Sequence, residues 1–313
     1  MKNWLYFYSV AVTIVLAAVL FFGYEHVSSG DYPFVPEAAE GLLGDKELPQ
    51  TILPVALNRP FDFAGEPLPM DNFDVRERLD RELTLNSYTH GTTLLNIKSM
   101  YRYFPLFEKI LKEHGIPDDF KYTAVAESNL RNAVSPAGAR GIWQIMAPTA
   151  QQYGLEINEE VDERYHPEKA THAACKLLKD YYKKFGNWTL TAAAYNIGGP
   201  RLAKEKENQL GTSFYDLNLN EETSRYVFRL VAIKAILADP KAFGFLLDSE
   251  HGYPPLDSYK IVEVSEPIPS LAVFAKTQGI SYRTFKLYNP WLISTKLTNP
   301  ARKTYQIKVP EKR

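Results

Sequence analysis

The chain has 313 residues, 45% of them hydrophobic, and its 36 basic and 37 acidic side chains leave a net charge of −1. That length allows roughly two domains with a real core, and the balanced charge, with no basic block, excludes a nucleic-acid partner of the electrostatic kind. A single cysteine excludes an intramolecular disulfide, and the six histidines show no metal-ligand spacing such as HExxH.

The N-terminus reads MKNWLYFYSVAVTIVLAAVLFFGYEH, uncharged from Trp4 to Phe22 and long enough to cross a bilayer as a helix. Lys2 precedes this run and Glu25 and Asp31 follow it, which keeps the short N-terminus inside and exports the body. Residues 1–27 therefore read as an uncleaved signal anchor; a cleaved signal peptide is the rival, without a clean small-x-small site to support it. Residues 28–70 are rich in Pro, Gly and acidic side chains and read as a linker, or, in their second half, as extended chain packed on a domain.

From Asp71 to Gly115 the segments DVRERLDREL, TTLLNIKSMYRYF and PLFEKILKEHG carry apolar residues at helical spacing, with Gly115 as a stop. Tyr101, Tyr103 and Phe104 suit either core packing or a sugar-lined groove. PDDFKYTAVAES follows, where Pro117, Asp118 and Asp119 suit a first helical turn. Phe120, Thr123, Ala124 and Glu127 fall on one face of that helix, and Val125 and Ala126 make the neighbouring faces apolar. Glu127 thus stands where a core residue belongs. Burial disfavours the charged carboxylate and raises its pKa, and a carboxyl still protonated near neutrality can act as a general acid on a glycosidic oxygen. The alternative is an ordinary helix end with one Glu facing water.

After Glu127 come a Ser-Pro-Ala-Gly turn at Ser135, a segment with Trp143, Gln144 and Met146, and APTAQQYGL, a short helix ended by Gly154. HPEKATHAACKLLKDYYKKFG is a helix with Pro167 in its first turn, Gly186 as its stop and Cys175 in its buried stripe. Asn187 caps a helix through Tyr195, ended by Gly198 and Gly199, which leaves Tyr195 and Asn196 at a helix terminus able to meet a sugar ring and an N-acetyl group. NEETSRYVFRLVAIKAILADP is one amphipathic helix with Glu222 and Tyr226 as i, i+4 neighbours. Past a boundary at His251 to Ser258, the strands YKIVEV and TYQIKVP flank two short helices, a unit of the size of a small separate domain.

AESNLRNAVSPAGARGIWQIM, AAAYNIGG and EETSRYV, in that order, resemble the motifs of peptidoglycan lytic transglycosylases of the soluble-lytic-transglycosylase type. The resemblance runs from about Asp71 to Leu237. It implies a mostly α protein: a lysozyme-like helical catalytic domain at 71–250, the anchor at 1–27, the linker at 28–70, and a small α+β domain at 258–313. SLAVFAKTQGISYRTFKLYNPWL resembles a lysin motif, with Leu271, Ala272, Leu287 and Asn289 in matching places; Ser265, Glu266 and Pro267 replace the usual Gly-Asp-Thr turn, so this unit reads as either a sugar binder or a degenerate structural module.

Carried over by position, the resemblance makes Glu127 the sole catalytic acid/base. Ser135 becomes a serine hydrogen-bonding near it, and Gln144, Met146, Tyr195, Asn196, Glu222 and Tyr226 become substrate-binding residues. Trp143 and Ile197 depart from the family pattern. The implied reaction is non-hydrolytic cleavage of the MurNAc-GlcNAc β-1,4 bond to 1,6-anhydro-MurNAc ends, without cofactor, on glycan strands in the periplasm of a bacterial envelope. The alternatives are a muramidase hydrolase of the same fold and a non-catalytic peptidoglycan-binding protein.

Overall fold

A computed structural model describes residues 53–311. The expected signal anchor and the first part of the linker lie outside the described residues, among which no helix is long and apolar enough to cross a membrane.

A two-stranded hairpin, β1 (Asp62–Phe63) and β2 (Glu66–Pro67), leads into α1 (Phe73–Tyr88) and α2 (His90–His114). Then follow α3 (Lys121–Ser128), the hairpin β3 (Ala133–Val134) and β4 (Arg140–Gly141), and α4 (Ala147–Gln152). The helices α5 (Pro167–Phe185), α6 (Trp188–Ile197), α7 (Gly199–Gln209) and α8 (Glu221–Ala238) complete the helical part. The C-terminal part is β5 (Tyr259–Val264), α9 (Leu271–Thr277), α10 (Tyr282–Tyr288) and β6 (Tyr305–Pro310), with β5 antiparallel to β6 from Tyr259↔Pro310 to Val264↔Tyr305. The protein is mostly helical, as the apolar spacing predicts.

Helix α8 is the axis of the helical part and packs on α1, α3 and α6. Tyr226, Val227, Phe228, Leu230, Val231, Ala232, Ile233, Ile236 and Leu237 are all buried, so the helix is apolar on nearly every side. Its few polar contacts are paired: Glu82 of α1, 1% exposed, holds both Arg225 and Arg229. Isolated, that carboxylate would be costly to bury; two guanidinium partners offset the desolvation.

Two elements differ from the pattern reading, and a third was open between two. Residues 54–70, read either as linker or as extended chain packed on a domain, join the core: Phe61, Phe63 and Leu68 are buried, with Phe63 edge-on to Phe120 at 5.1 Å. Glu66 then caps α6, accepting from Trp188 N at 2.6 Å and Thr189 N at 2.9 Å, a carboxylate at a helix N-terminus. The two segments expected either side of Pro105 are one helix, α2, which tolerates the missing N–H because Phe104, Phe107, Ile110 and Leu111 anchor its far half in the core. Gly199 does not only end α6; with Pro200 it starts α7, a helix of low apolar content that periodicity alone passes over.

The C-terminal strands and helices stand where alternation and spacing put them. Their core is not closed by their own residues alone. Val161, from the loop between α4 and α5, is fully buried among Leu271, Phe285, Leu292, Leu297 and Ile307. Of the lysin-motif positions, Leu271 and Asn289 are buried, and Asn289 both donates to Lys308 O at 2.7 Å and accepts from Lys308 N at 2.9 Å, fastening α10 to β6. Leu287 is exposed.

Candidate active site

Glu127 occupies the last turn of α3, a short helix whose Tyr122, Thr123, Ala124, Val125 and Ser128 are buried. Asn129 and Leu130 both adopt left-handed backbone, with φ of 52° and 56°, and turn the chain sharply away from the helix end. Asn129 is a good residue for that conformation, and Leu130 accepts it by burying its side chain. The Ser128 hydroxyl donates to Ile142 O at 2.8 Å, which ties the end of α3 to the β3–β4 hairpin.

Tyr226, fully buried in α8, donates its O–H to Glu127 Oε1 at 2.6 Å. Burial pushes the Glu127 carboxyl from its ordinary 4.5 up to about 7; the Tyr226 hydrogen bond opposes this, the negative charge of Glu222 adds to it, and the Arg229 charge opposes it. Desolvation wins, as expected where a carboxyl has one hydroxyl donor and no direct cation. Tyr226 itself is held well above the ordinary phenol value by burial and by the Glu127 charge, so it stays a donor.

Tyr195, at the end of α6, is next to this pair: its own pKa is raised well above normal, first by burial and then by the Glu127 charge. Its O–H donates to Trp143 O at 2.6 Å. Trp143, fully buried, donates from Nε1 to Thr171 Oγ1 at 2.9 Å. Asn196 bridges to α8, donating to Glu222 Oε1 at 3.2 Å and accepting from Thr223 Oγ1 at 2.7 Å. Glu222 and Tyr226, one turn apart, do not bond each other; one faces Asn196 and the other faces Glu127.

The hairpin residues Ser135 and Gln144 make their hydrogen bonds within the hairpin. Ser135 Oγ accepts from Ala139 N at 3.0 Å and so closes its own turn. Gln144, with φ of 49°, donates from Nε2 to Gly141 O at 2.7 Å and Ala133 O at 3.0 Å, holding the hairpin together. Met146 is 43% exposed.

Glu127, Tyr226, Tyr195, Asn196 and Glu222 thus converge from three helices, while Ser135 and Gln144 shape the wall beside them. The contributions of Arg229 and Trp143 O were not read from the sequence. Arg229 was legible in principle, one turn after Tyr226 on the same helix; a backbone carbonyl as the Tyr195 acceptor has no sequence signal. Among the described residues no cluster of three or more His, Cys, Asp or Glu side chains is arranged to hold a metal ion. Chemically, the centre can store one proton near neutrality and release it in a site with few competing donors.

Residues 105–218 match the transglycosylase SLT domain, and residues 260–313 match the soluble lytic transglycosylase C-terminal LysM-like domain. The membrane-bound lytic murein transglycosylase D of Escherichia coli K12 is 32% identical over 239 residues, 72% of this chain and 50% of that protein. The peptidoglycan transglycosylase gp16 of Escherichia phage T7 is 30% identical over 158 residues, 49% of this chain and 12% of that one. Among solved structures, the 70 kDa soluble lytic transglycosylase of Escherichia coli aligns with 27% identity over 43% of this chain and 24% of that chain, at a TM-score of 0.38. The chain spans about half the length of the first of these relatives. The protein carries a transglycosylase SLT domain followed by a LysM-like domain of the soluble lytic transglycosylase type.

Proposed function

We propose that this protein is a peptidoglycan lytic transglycosylase, with Glu127 as its single acid and base. The observation that carries the reading is a carboxyl held protonated to about 7 by burial, at the end of α3 and against the Tyr226 hydroxyl. In the first step Glu127 gives its proton to the oxygen linking N-acetylmuramic acid to N-acetylglucosamine, and the bond to the muramyl C1 breaks. The ionised Glu127, now stabilised by the Tyr226 O–H, takes the proton of the muramyl C6 hydroxyl. That oxygen closes on C1 and leaves a 1,6-anhydro ring, with Glu127 protonated again. General acid catalysis of this kind contributes about a hundred- to ten-thousand-fold.

Tyr195, Asn196, Glu222 and Met146 are the groove contacts in this reading, with Ser135 and Gln144 acting through the hairpin they close. The residues before 28 serve as a membrane anchor and residues 28–52 as a spacer, so that the enzyme works on the periplasmic face of the envelope. Digestion of purified sacculi followed by mass analysis of the products tests the reaction: anhydro-muramyl ends are expected, and products heavier by one water would identify a hydrolase instead.

Replacing Tyr226 with Phe separates the two halves of the cycle. The Tyr226 bond favours the ionised carboxylate, so its loss is expected to move the alkaline limb of the activity profile upward by about one pH unit, worth about 1.4 kcal/mol. Turnover at pH 6 is expected to fall about tenfold, because the ionised Glu127 loses its donor in the ring-closing step. A pH–rate profile of the purified variant on sacculi checks both.

A further inference from the structure

The loop between α4 and α5 is gripped from both sides. On the C-terminal side, Val161 fills the core of the LysM-like domain and forms an antiparallel bridge with Leu292. Asp162 N donates to Trp291 O at 2.9 Å, and Ile293 N donates to Glu160 O at 2.9 Å. The Glu160 carboxylate accepts from Thr298 N at 2.6 Å and Thr298 Oγ1 at 3.0 Å. Tyr305 and Lys303 bind Glu156, and Lys308 binds Glu168 at the start of α5.

On the other side the same loop holds the β3–β4 hairpin. Asp162 and Arg164, 1% and 4% exposed, form a two-pronged pair, with Nε at 2.9 Å from Oδ1 and Nη2 at 2.8 Å from Oδ2. Asp162 Oδ2 also lies 3.4 Å from Arg140 in β4. The remaining prong, Arg164 Nη1, donates to Gly138 O at 3.0 Å, in the hairpin turn, and to Ile145 O at 3.3 Å, in the segment that bridges back to Arg140 of β4. Breaking a buried pair of this kind is costly, and its best-supported role is to fix one conformation rather than to add stability.

We infer that the LysM-like domain, working through Asp162 and Arg164, sets the shape of the substrate wall, which makes Arg164 a positioning residue for the reaction. The inference rests on the lytic transglycosylase reading for its kinetic consequence. A chain of contacts from Thr298 and Trp291, through Glu160 and Asp162, to Arg164 and the hairpin joins the C-terminal domain to Gln144 and Met146. The C-terminal domain then contributes to catalysis by how it is docked, whether or not it binds sugar itself.

The test uses the full chain with Arg164→Gln, Arg164→Lys and Glu160→Gln, the last lying on the C-terminal side of the loop. Fragment release is measured against sacculus concentration and pH, with Tm in the same buffers and hydrogen exchange across 133–146. Arg164→Gln is expected to lower kcat/KM at least tenfold, mainly through KM, with the alkaline limb unmoved. Arg164→Lys should recover part of that loss, and Glu160→Gln should raise KM about threefold. In all three, exchange of the hairpin amides is expected to quicken about tenfold, while the interior of α8 stays at wild-type rates.

Variants that lose Tm but keep wild-type KM and wild-type hairpin exchange would overturn the inference. Where Arg164→Gln does not fold, Glu160→Gln decides through the same two readouts. Quickened hairpin exchange in a protein whose wild type releases no fragments would uphold the coupling and sink the proposed activity instead.

Discussion

Glu127→Gln is expected to stop the release of soluble fragments from sacculi, with a loss of at least a thousandfold, and to leave the fold intact. Both steps assigned to Glu127 are proton transfers, and an amide can neither give the first proton nor take the second. The same substitution carries a stability signature. The folded carboxyl titrates near 7 and the unfolded one near 4.5, so between these values the folded state binds more protons than the unfolded state. Stability contributed by the protonated form is therefore lost as pH rises through that window. By pH 8 the ionised, poorly hydrated carboxylate costs the wild type about 3 kcal/mol relative to pH 4. The Gln variant carries no such charge, and Tyr226 can still donate to its amide oxygen. Denaturation at the two pH values should show the variant more stable at pH 8 and nearly equal at pH 4. Equal stability at both would mean that Glu127 is already ionised at neutrality.

Gly141→Ala is expected to be the most destabilising conservative change in the helical part. Gly141 has φ of 82°, and a β-carbon there would sit 1.9 Å from Arg164 O and 2.8 Å from Arg164 C. Neither atom can swing aside, because Arg164 is held by Asp162 and by two hairpin carbonyls. The left-handed backbone adds about 1–2 kcal/mol and the overlap about 1–3 kcal/mol, so a loss of about 2–5 kcal/mol is expected. The midpoint of a denaturant curve measures it, and a shift below 1 kcal/mol would show that the hairpin can move away from Arg164.

Much of this was legible in the residues because the helices obey simple rules. Asn187, Gly115 and Gly186 cap helices where their types predict, and Asn187 Oδ1 accepts from Leu190 N at 2.9 Å. Glu127 was visible as a carboxyl on an apolar face. What the sequence hid is long-range. The fate of the Ser135 hydroxyl depends on Ala139 N, and that of the Tyr226 hydroxyl on a residue 99 positions away. Neither residue announces its partner. Residues 54–70 look like spacer because their prolines and glycine interrupt any helical or strand period, and only the core they join, beside Phe120 and Trp188, gives them a place.

The Val161 side chain closing the C-terminal core has a consequence for how such proteins can be assembled. A module that borrows part of its interior from a loop about a hundred residues upstream is not a cassette. Grafted onto another enzyme without the 156–162 segment, it would bring along a hole where a valine belongs and a carbonyl at Trp291 with no amide to meet it.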